Sequence, residues 1–498
     1  MEKQRRTKRF WLVGSACTLG LVGYFAPIYL AHEPEWTSAT LEHAHLQLGQ
    51  KIFYTDSFGN EEFLSRILGF GQGPLRVGDF ARALFHLGGR GTTNLRVEFS
   101  RDVRVGREDF QKGQEIDTGI DVPRGSYLPL GFAIRKDRAQ WRIGVTCAAC
   151  HSTVDPVSFQ VQHGIPNSDL RAGLLLAMAS NSAAYVALGS RSDLRSVDGA
   201  PAVSVECGEV KPCRVADAPA LETAVDARLM QWPPGTFDSI ADGKTRPAKF
   251  PSVFALPKFP DPAASTRSIL RHGFSVDARE LAEVAPAALR ISAAQYLAQI
   301  LQAAPDPSAD HKPALRGVEK LGAIAAWRST LSPAVYLTDS QSRARGREVF
   351  ERGGCVRCHS GDRFTSQAFI GASELGSSPA KSAGGYAEKL RVPSLIGLAW
   401  RAPYLHDGGV AVGPDEEIEL GLAGTWMRQI APDPRASLGA LIDRELRKKV
   451  VLANRSNSDL RSVWVDGSGH PFWIDPRAGF SQADQQAVIA YLFSLTGN

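Results

Sequence analysis

Two pentapeptides carry the chemistry of this 498-residue chain: Cys147-Ala148-Ala149-Cys150-His151 and Cys355-Val356-Arg357-Cys358-His359. Two thiols three positions apart on one turn can each form a thioether to a porphyrin vinyl group. The His that follows then stands under the ring, where it can ligate iron. Zinc binding and thioredoxin-type redox chemistry also use Cys-x-x-Cys, but neither accounts for the adjacent His in both copies. The motifs therefore predict two covalently bound haem c groups, held by Cys147, Cys150, Cys355 and Cys358, with His151 and His359 as proximal iron ligands.

Composition sets the frame. With 43% hydrophobic and 22% charged residues the chain is ordinary globular protein, long enough for two or three domains. Its 47 Gly and 30 Pro predict many loops and modest helices. The formal charge of +5 is concentrated in the first nine residues, where Lys3, Arg5, Arg6, Lys8 and Arg9 face only Glu2. The remainder is near neutral, so nucleic-acid binding has no support. The apolar run Phe10 to Ala31 is long enough to cross a hydrocarbon core of about 30 Å as a helix. The basic residues before it would keep the amino terminus cytoplasmic. An uncleaved anchor is favoured over a cleavable signal peptide, because the run is long and its cleavage site poor. Either reading exports the body, to the periplasmic side of a bacterial inner membrane or as a soluble periplasmic protein. Of the seven cysteines, four belong to the motifs and Cys17 to the apolar run. Cys207 and Cys213 remain, and in an oxidising compartment they are expected to close a small surface disulfide loop, with free thiols as the alternative.

The elements that must position the motifs follow. Ala39–Phe53 reads as a helix, 101–137 as loops and short strands, and Asp169–Leu188 as a helix packed behind the first motif. Residues 190–265 read as irregular, Glu280–Ala303 as helical, and Ala304–Lys312 as a linker. From Asp339 the pattern becomes that of a compact cytochrome c module. A helix containing Gly346 and Phe350 runs into Cys355, and Ser481-x-x-Asp484 caps a last helix from Gln482 to Leu495. In such modules the first and last helices cross, with Gly346 small enough to let Tyr491 come close. The expected fold is mainly α: two cytochrome c-like haem domains with long irregular loops, preceded by one transmembrane helix. The expected boundaries are 1–9 for a basic cytoplasmic tail, 10–31 for the anchor or signal sequence, 36–335 for an N-terminal haem c domain with insertions, and 339–498 for a C-terminal cytochrome c domain.

Several strings beyond the haem motifs resemble the bacterial di-haem cytochrome c peroxidases, and more closely their larger relatives that include the di-haem rubber oxygenases. They are Leu128-Pro-Leu-Gly-Phe132 before the first motif, Arg391-Val-Pro-Ser-Leu395, Ala402-Pro-Tyr-Leu-His-Asp-Gly408, and Gly467-Ser-Gly-His470-Pro-Phe before the last helix. The likeness covers 120–175 and 340–498 well, and 36–120 and 190–335 thinly. The small peroxidases place a Met ligand shortly after the His of the Pro-Tyr-x-His-Asp-Gly string, and this chain has none there. The resemblance implies that His406 supports the second haem through its loop or a propionate.

Function turns on what faces each iron, since an iron with two strong ligands shuttles electrons and an open one binds dioxygen or peroxide. For the second haem the expected ligand is His470 on its Gly-rich loop, with Met427 as the alternative. For the first, His163, Met178, Met230, His43, His45 and His86 are the candidates; the resemblance implies an open or weakly liganded iron. Trp141, Phe132, Trp232 and Trp400 read as core. Two functions follow. One is a peroxidase-like or oxygenase-like haem-dependent oxidoreductase, with a reactive first haem and an electron-transfer second haem. The other is a di-haem electron-transfer cytochrome of a respiratory chain. Both imply a small redox donor or acceptor protein as partner, and a module that merely holds haem is the weakest alternative.

Overall fold

In the computed structural model the described residues are 38–185, 202–238, 247–254 and 317–496, apart from short gaps. The chain divides into two units, residues 1–45 and 46–498. The first contributes only the opening of a helix to the described residues, and the second holds the rest. The apolar run Phe10 to Ala31, the helix Glu280–Ala303 and the linker Ala304–Lys312 lie outside the described residues. Among those described, no helix is long and apolar enough to cross a membrane.

The fold is mostly helical, with small two-stranded sheets. Its helices are α1 (Ser38–Thr55), α2 (Val77–Leu87), α3 (Ala148–His151), α4 (Ala172–Ala177), α5 (Ala218–Leu229), α6 (Gly317–Arg328), α7 (Ser340–Arg352), α8 (Gly421–Gly424), α9 (Pro434–Ile442), α10 (Arg444–Ser456), α11 (Ser458–Ser462) and α12 (Gln482–Phe493). The strands pair antiparallel in eight sheets among the described residues. β1 (Arg96–Glu98) pairs with β4 (Glu115–Asp117) around the hairpin of β2 (Val103–Val105) and β3 (Glu108–Phe110). Next come the hairpins β5–β6 (Phe132–Asp137, Gln140–Val145), β7–β8 (Ser152–Val154, Val161–His163) and β9–β10 (Ala202–Cys207, Lys211–Ala216). β11 (Thr236–Phe237) pairs with β12 (Ala248–Lys249), and β13 (Phe369–Gly371) with β16 (Lys389–Arg391) around β14–β15 (Ala380–Ser382, Gly385–Ala387).

The strands expected in 101–137 are present, and α1 extends the predicted first helix at both ends. The helix expected over Asp169–Leu188 reaches only from Ala172 to Ala177. Residues 190–265, read as irregular, contain α5. Its signals are a Pro at the start, where the missing N–H costs nothing, and Leu221, Val225 and Leu229 at helical spacing. The β9–β10 register sets Cys207 opposite Lys211 and Cys213 opposite Val205, a diagonal rather than facing arrangement. Their side chains lie outside the described residues.

Apolar packing crosses the expected boundary near residue 335. The largest core gathers Phe63, Phe99, Leu174 and Trp232 with Ala411, Leu422, Leu460 and Val465 from the carboxy-terminal half. A second core lies between α7, α9 and α12. A third, beneath the first motif, joins Ile52, Phe53 and Trp327 to Leu130, Ala148 and Val154. Ile165, Phe254 and Ile396 bridge the halves in a small fourth cluster.

The crossing of α7 and α12 fixes the approach to Cys355. Asp339 caps α7 by accepting from the Ser342 N–H at 2.7 Å. Ser481 and Asp484 cap α12 reciprocally: the Ser481 hydroxyl accepts from the Asp484 N–H and the carboxylate from the Ser481 N–H. The carboxylate also receives Arg345 of α7 at 3.0 Å, which pins the two helices together. α12 ends at Phe493, two residues before the predicted end. A methyl group on Gly346 would stand 2.0 Å from the Ala487 carbonyl oxygen and 2.5 Å from Tyr491 Cβ. The Phe350 and Tyr491 rings follow with centroids 5.6 Å apart.

Gly346→Ala therefore tests the crossing. In an open helix this change gains about 1 kcal/mol. Here the added methyl meets backbone that cannot turn aside, and overpacking of this kind costs about 1–3 kcal/mol. Denaturant titration is expected to give a net loss of stability.

Candidate functional site

The first motif is held by the hairpins on either side of it. Gly131, at φ +77°, lies so close under the Cys-x-x-Cys turn that a Cβ would stand 2.0 Å from the Ala149 nitrogen. Its carbonyl accepts from the Thr146 N–H at 2.8 Å, which gives the string ending in Phe132 a physical reason. Cys147 caps α3, and the His151 N–H donates to the Cys147 carbonyl. His151 Nδ1 lies 2.9 Å from the carbonyl oxygen of Pro251. A carbonyl only accepts, so Nδ1 carries the proton and the Nε2 lone pair is free to bind a metal.

The second motif repeats this logic on different scaffolding. Gly354, at φ +74°, turns the chain out of α7 into the one-turn helix Cys355–Arg357. His359 Nδ1 faces two carbonyls, Pro393 at 3.1 Å and Phe364 at 3.2 Å, so its Nε2 is free in the same way. A cavity of about 420 Å³ opens beside it, lined by Phe350, Val356, Phe364 and Tyr491. Burial and nearby Arg401 press the His359 pKa down; burial does the same at His151, where Arg328 adds a smaller push. Both imidazoles are thereby favoured as neutral donors.

His470 is brought to His359. Its pKa is held down to about 3, by burial first, then by the neighbouring His359 and by Arg447. Its Nδ1 is buried with no hydrogen-bond partner. The residue sits at φ +55°, an uncommon conformation for a side-chain-bearing residue, and its N–H is tied to the Leu375 carbonyl at 2.8 Å. Three loops meet here. Gly409 and Gly467 pass backbone against backbone, since a Cβ on Gly409 would stand 2.3 Å from the Gly467 nitrogen. Asp407 is buried and accepts from the N–H groups of Gly409, Asp466 and Gly467. From α10, buried Asn454 donates to the Gly409 and Asp466 carbonyls. Buried Arg447 donates to the carbonyls of Ala440, Leu441, Gly467 and Gly469.

Other candidates lie elsewhere. His406 contributes its carbonyl, which accepts from the Lys249 N–H at 2.8 Å. Met427 packs at the edge of the largest core, and Met230 does the same. Met178 is buried within that core. His163 stands opposite Ser152 in the β7–β8 hairpin, with Nδ1 2.5 Å from the Tyr54 hydroxyl and its ring edge-on to Trp327. His43 and His45 lie on exposed positions of α1, and His86 on an exposed position of α2. Trp232 is core, Phe132 packs at its edge, and Trp141 and Trp400 reach the surface.

Burial pushes the Cys147 and Cys355 thiols up to about 11 and Cys150 up to about 12. Cys-x-x-Cys pairs that exchange disulfides have depressed thiols, the opposite sign. Among the described residues no group of three or more His, Cys, Asp or Glu is placed to hold a metal ion.

Asp407, Asn454 and Arg447 escaped sequence reasoning as supports. Asp407 stood inside a motif string, but nothing in the spacing marks Arg447 or Asn454. Asp121 also escaped it. Buried Asp121 accepts from the Thr153 hydroxyl at 2.6 Å and the Val154 N–H at 2.9 Å, just after His151. Its other oxygen is buried without a partner. Burial, with the charge of Asp169 adding to it, raises its pKa to about 8 against those hydrogen bonds. Asp169 is pushed up by desolvation as well, although its side chain keeps exposed surface. No family model and no curated protein matches this chain.

Two outcomes test these supports. Arg447→Met keeps the bulk but strips four carbonyls of a charged donor, and is expected to cost about 3 kcal/mol in denaturant titration. Amide hydrogen exchange should speed up first at 466–470. For Asp121, the folded pKa lies above the unfolded 3.8. Its stabilising contribution is therefore full below pH 3.8 and lost as pH rises toward 8. Asp121→Asn is expected to flatten the stability–pH curve across that window.

Proposed function

We propose that this chain is an exported di-haem c-type redox protein with two cytochrome c-like haem domains. The first haem would be reactive, peroxidase-like or oxygenase-like, and the second an electron reservoir. The observation that carries this reading is an asymmetry. His359 has the half-buried imidazole of His470 as a neighbour, whereas of the candidates for His151, His163 is hydrogen-bonded to Tyr54, Met178 and Met230 pack in the largest core, and His43, His45 and His86 lie on exposed positions. The orphaned Nδ1 of His470, the carbonyl-directed Nδ1 groups of His151 and His359, and the protonated thiols all fit covalent haem.

When bound, haem would supply an iron able to take dioxygen or peroxide at the first motif and a one-electron couple at the second. The chain's own residues do the rest. Cys147 and Cys150, and Cys355 and Cys358, would fix each ring edge by thioethers. Pro251 and Pro393 orient the proximal imidazoles through their carbonyls. Arg447, Asp407 and Asn454 hold the His470 loop against thermal motion. Asp121, whose pKa burial raises to about 8, stands beside the strand that follows the first motif. The apolar run Phe10 to Ala31 would hold the body at the periplasmic face of the inner membrane, where a small redox protein could reach it.

Electron paramagnetic resonance of the purified holo-protein tests this. A high-spin ferric signal, oxidised or half-reduced, is expected alongside a low-spin signal. His151→Ala should abolish the first, and His470→Ala should convert the second to high spin. Two low-spin signals that survive half-reduction would sink the enzyme reading and leave a di-haem electron carrier.

A further inference from the structure

Lys249, at the end of β12, is half-buried. Its ammonium donates to the carbonyls of Arg401 and Pro403. Arg401 is half-buried too and donates to the carbonyls of Ser394 at 2.6 Å and Ile396 at 3.4 Å. Among the described residues no carboxylate pairs with either cation. The charge of Arg401 weighs on Lys249, so the two cations are close enough to repel.

Their position is as telling as their charge. Lys249 precedes by two residues Pro251, whose carbonyl holds His151. Ser394, which Arg401 binds, follows Pro393, whose carbonyl holds His359. A short run of backbone and two cations thus joins the supports of both motif histidines. Two half-buried cations satisfied only by neutral carbonyls keep much of their charge uncompensated, because carbonyl dipoles offset charge incompletely. An ammunition of donors of this kind, a guanidinium fork beside an ammonium, matches a carboxylate.

We infer that Lys249 and Arg401 form a carboxylate-binding cradle between the two motifs, and that its occupants are propionate groups of the porphyrins held there. This rests on the di-haem reading. Positive charge in the cradle favours the reduced iron, so the same side chains set the potential of whichever haem they hold.

The test uses the full-length holo-protein and begins with a haem count by the pyridine haemochrome method. Resonance Raman spectra of the propionate bending modes and spectroelectrochemical titrations follow, with and without acetate. Lys249→Met is expected to keep two haems, to shift the propionate bands, and to lower one reduction equilibrium constant about tenfold, or about 59 mV for a one-electron couple. Lys249→Arg should restore both readings. Arg401→Gln probes the same cradle if Lys249→Met does not fold. Two haems with unchanged bands and potentials in the variants would overturn the cradle. Wild-type potentials that move with acetate would assign it to a free carboxylate and overturn the propionate occupant. A wild-type chain without covalent haem would overturn the di-haem reading, and the cradle with it.

Discussion

An imidazole can offer Nε2 to a metal only while Nδ1 carries the proton and something accepts that proton's hydrogen bond. Both motifs meet this condition through a backbone carbonyl, Pro251 for His151 and Pro393 for His359. Carbonyls cannot ionise, so the tautomer does not drift with pH. Burial adds to this by disfavouring the imidazolium. The carbonyl must be delivered from far along the chain, and much of the architecture serves that delivery. Pro251 follows β12, and Pro393 follows β16.

The second motif, like the first at Gly131, is fixed by close backbone contact. α7 and α12 touch at Gly346, so the position of Cys355 is fixed by backbone contact rather than by side chains that could rearrange. The facing loop is fixed just as closely. Asp407 gathers three N–H groups, Arg447 gathers four carbonyls, and Asn454 bridges two loops. Around the first motif one Asp121 oxygen is left without a partner, and at the second the Nδ1 of His470 is.

The two halves are not independent. Leu460 and Val465 lie in the core that surrounds Phe99 and Leu174, and Phe254 packs with Ile396. Lys249 reaches the carbonyls of Arg401 and Pro403, on the other side of the nominal boundary. A change in charge near one motif is therefore felt in the packing and electrostatics of the other.

The sequence by itself determined the local features. The thiol and imidazole positions, the cap of α12, the small residue at the helix crossing and the Gly-rich approach to His470 all depend on near neighbours or on spacing. They could be read because each is governed by a short-range rule: one turn, one cap, one contact face. Only the tertiary structure decided which distant groups complete the site. Arg447, Asn454, Asp121, Lys249 and the two proline carbonyls act across gaps of tens to hundreds of residues, and no local pattern marks them. Burial decided the rest, because the same imidazole or carboxyl is ordinary in water and strongly shifted once protein encloses it.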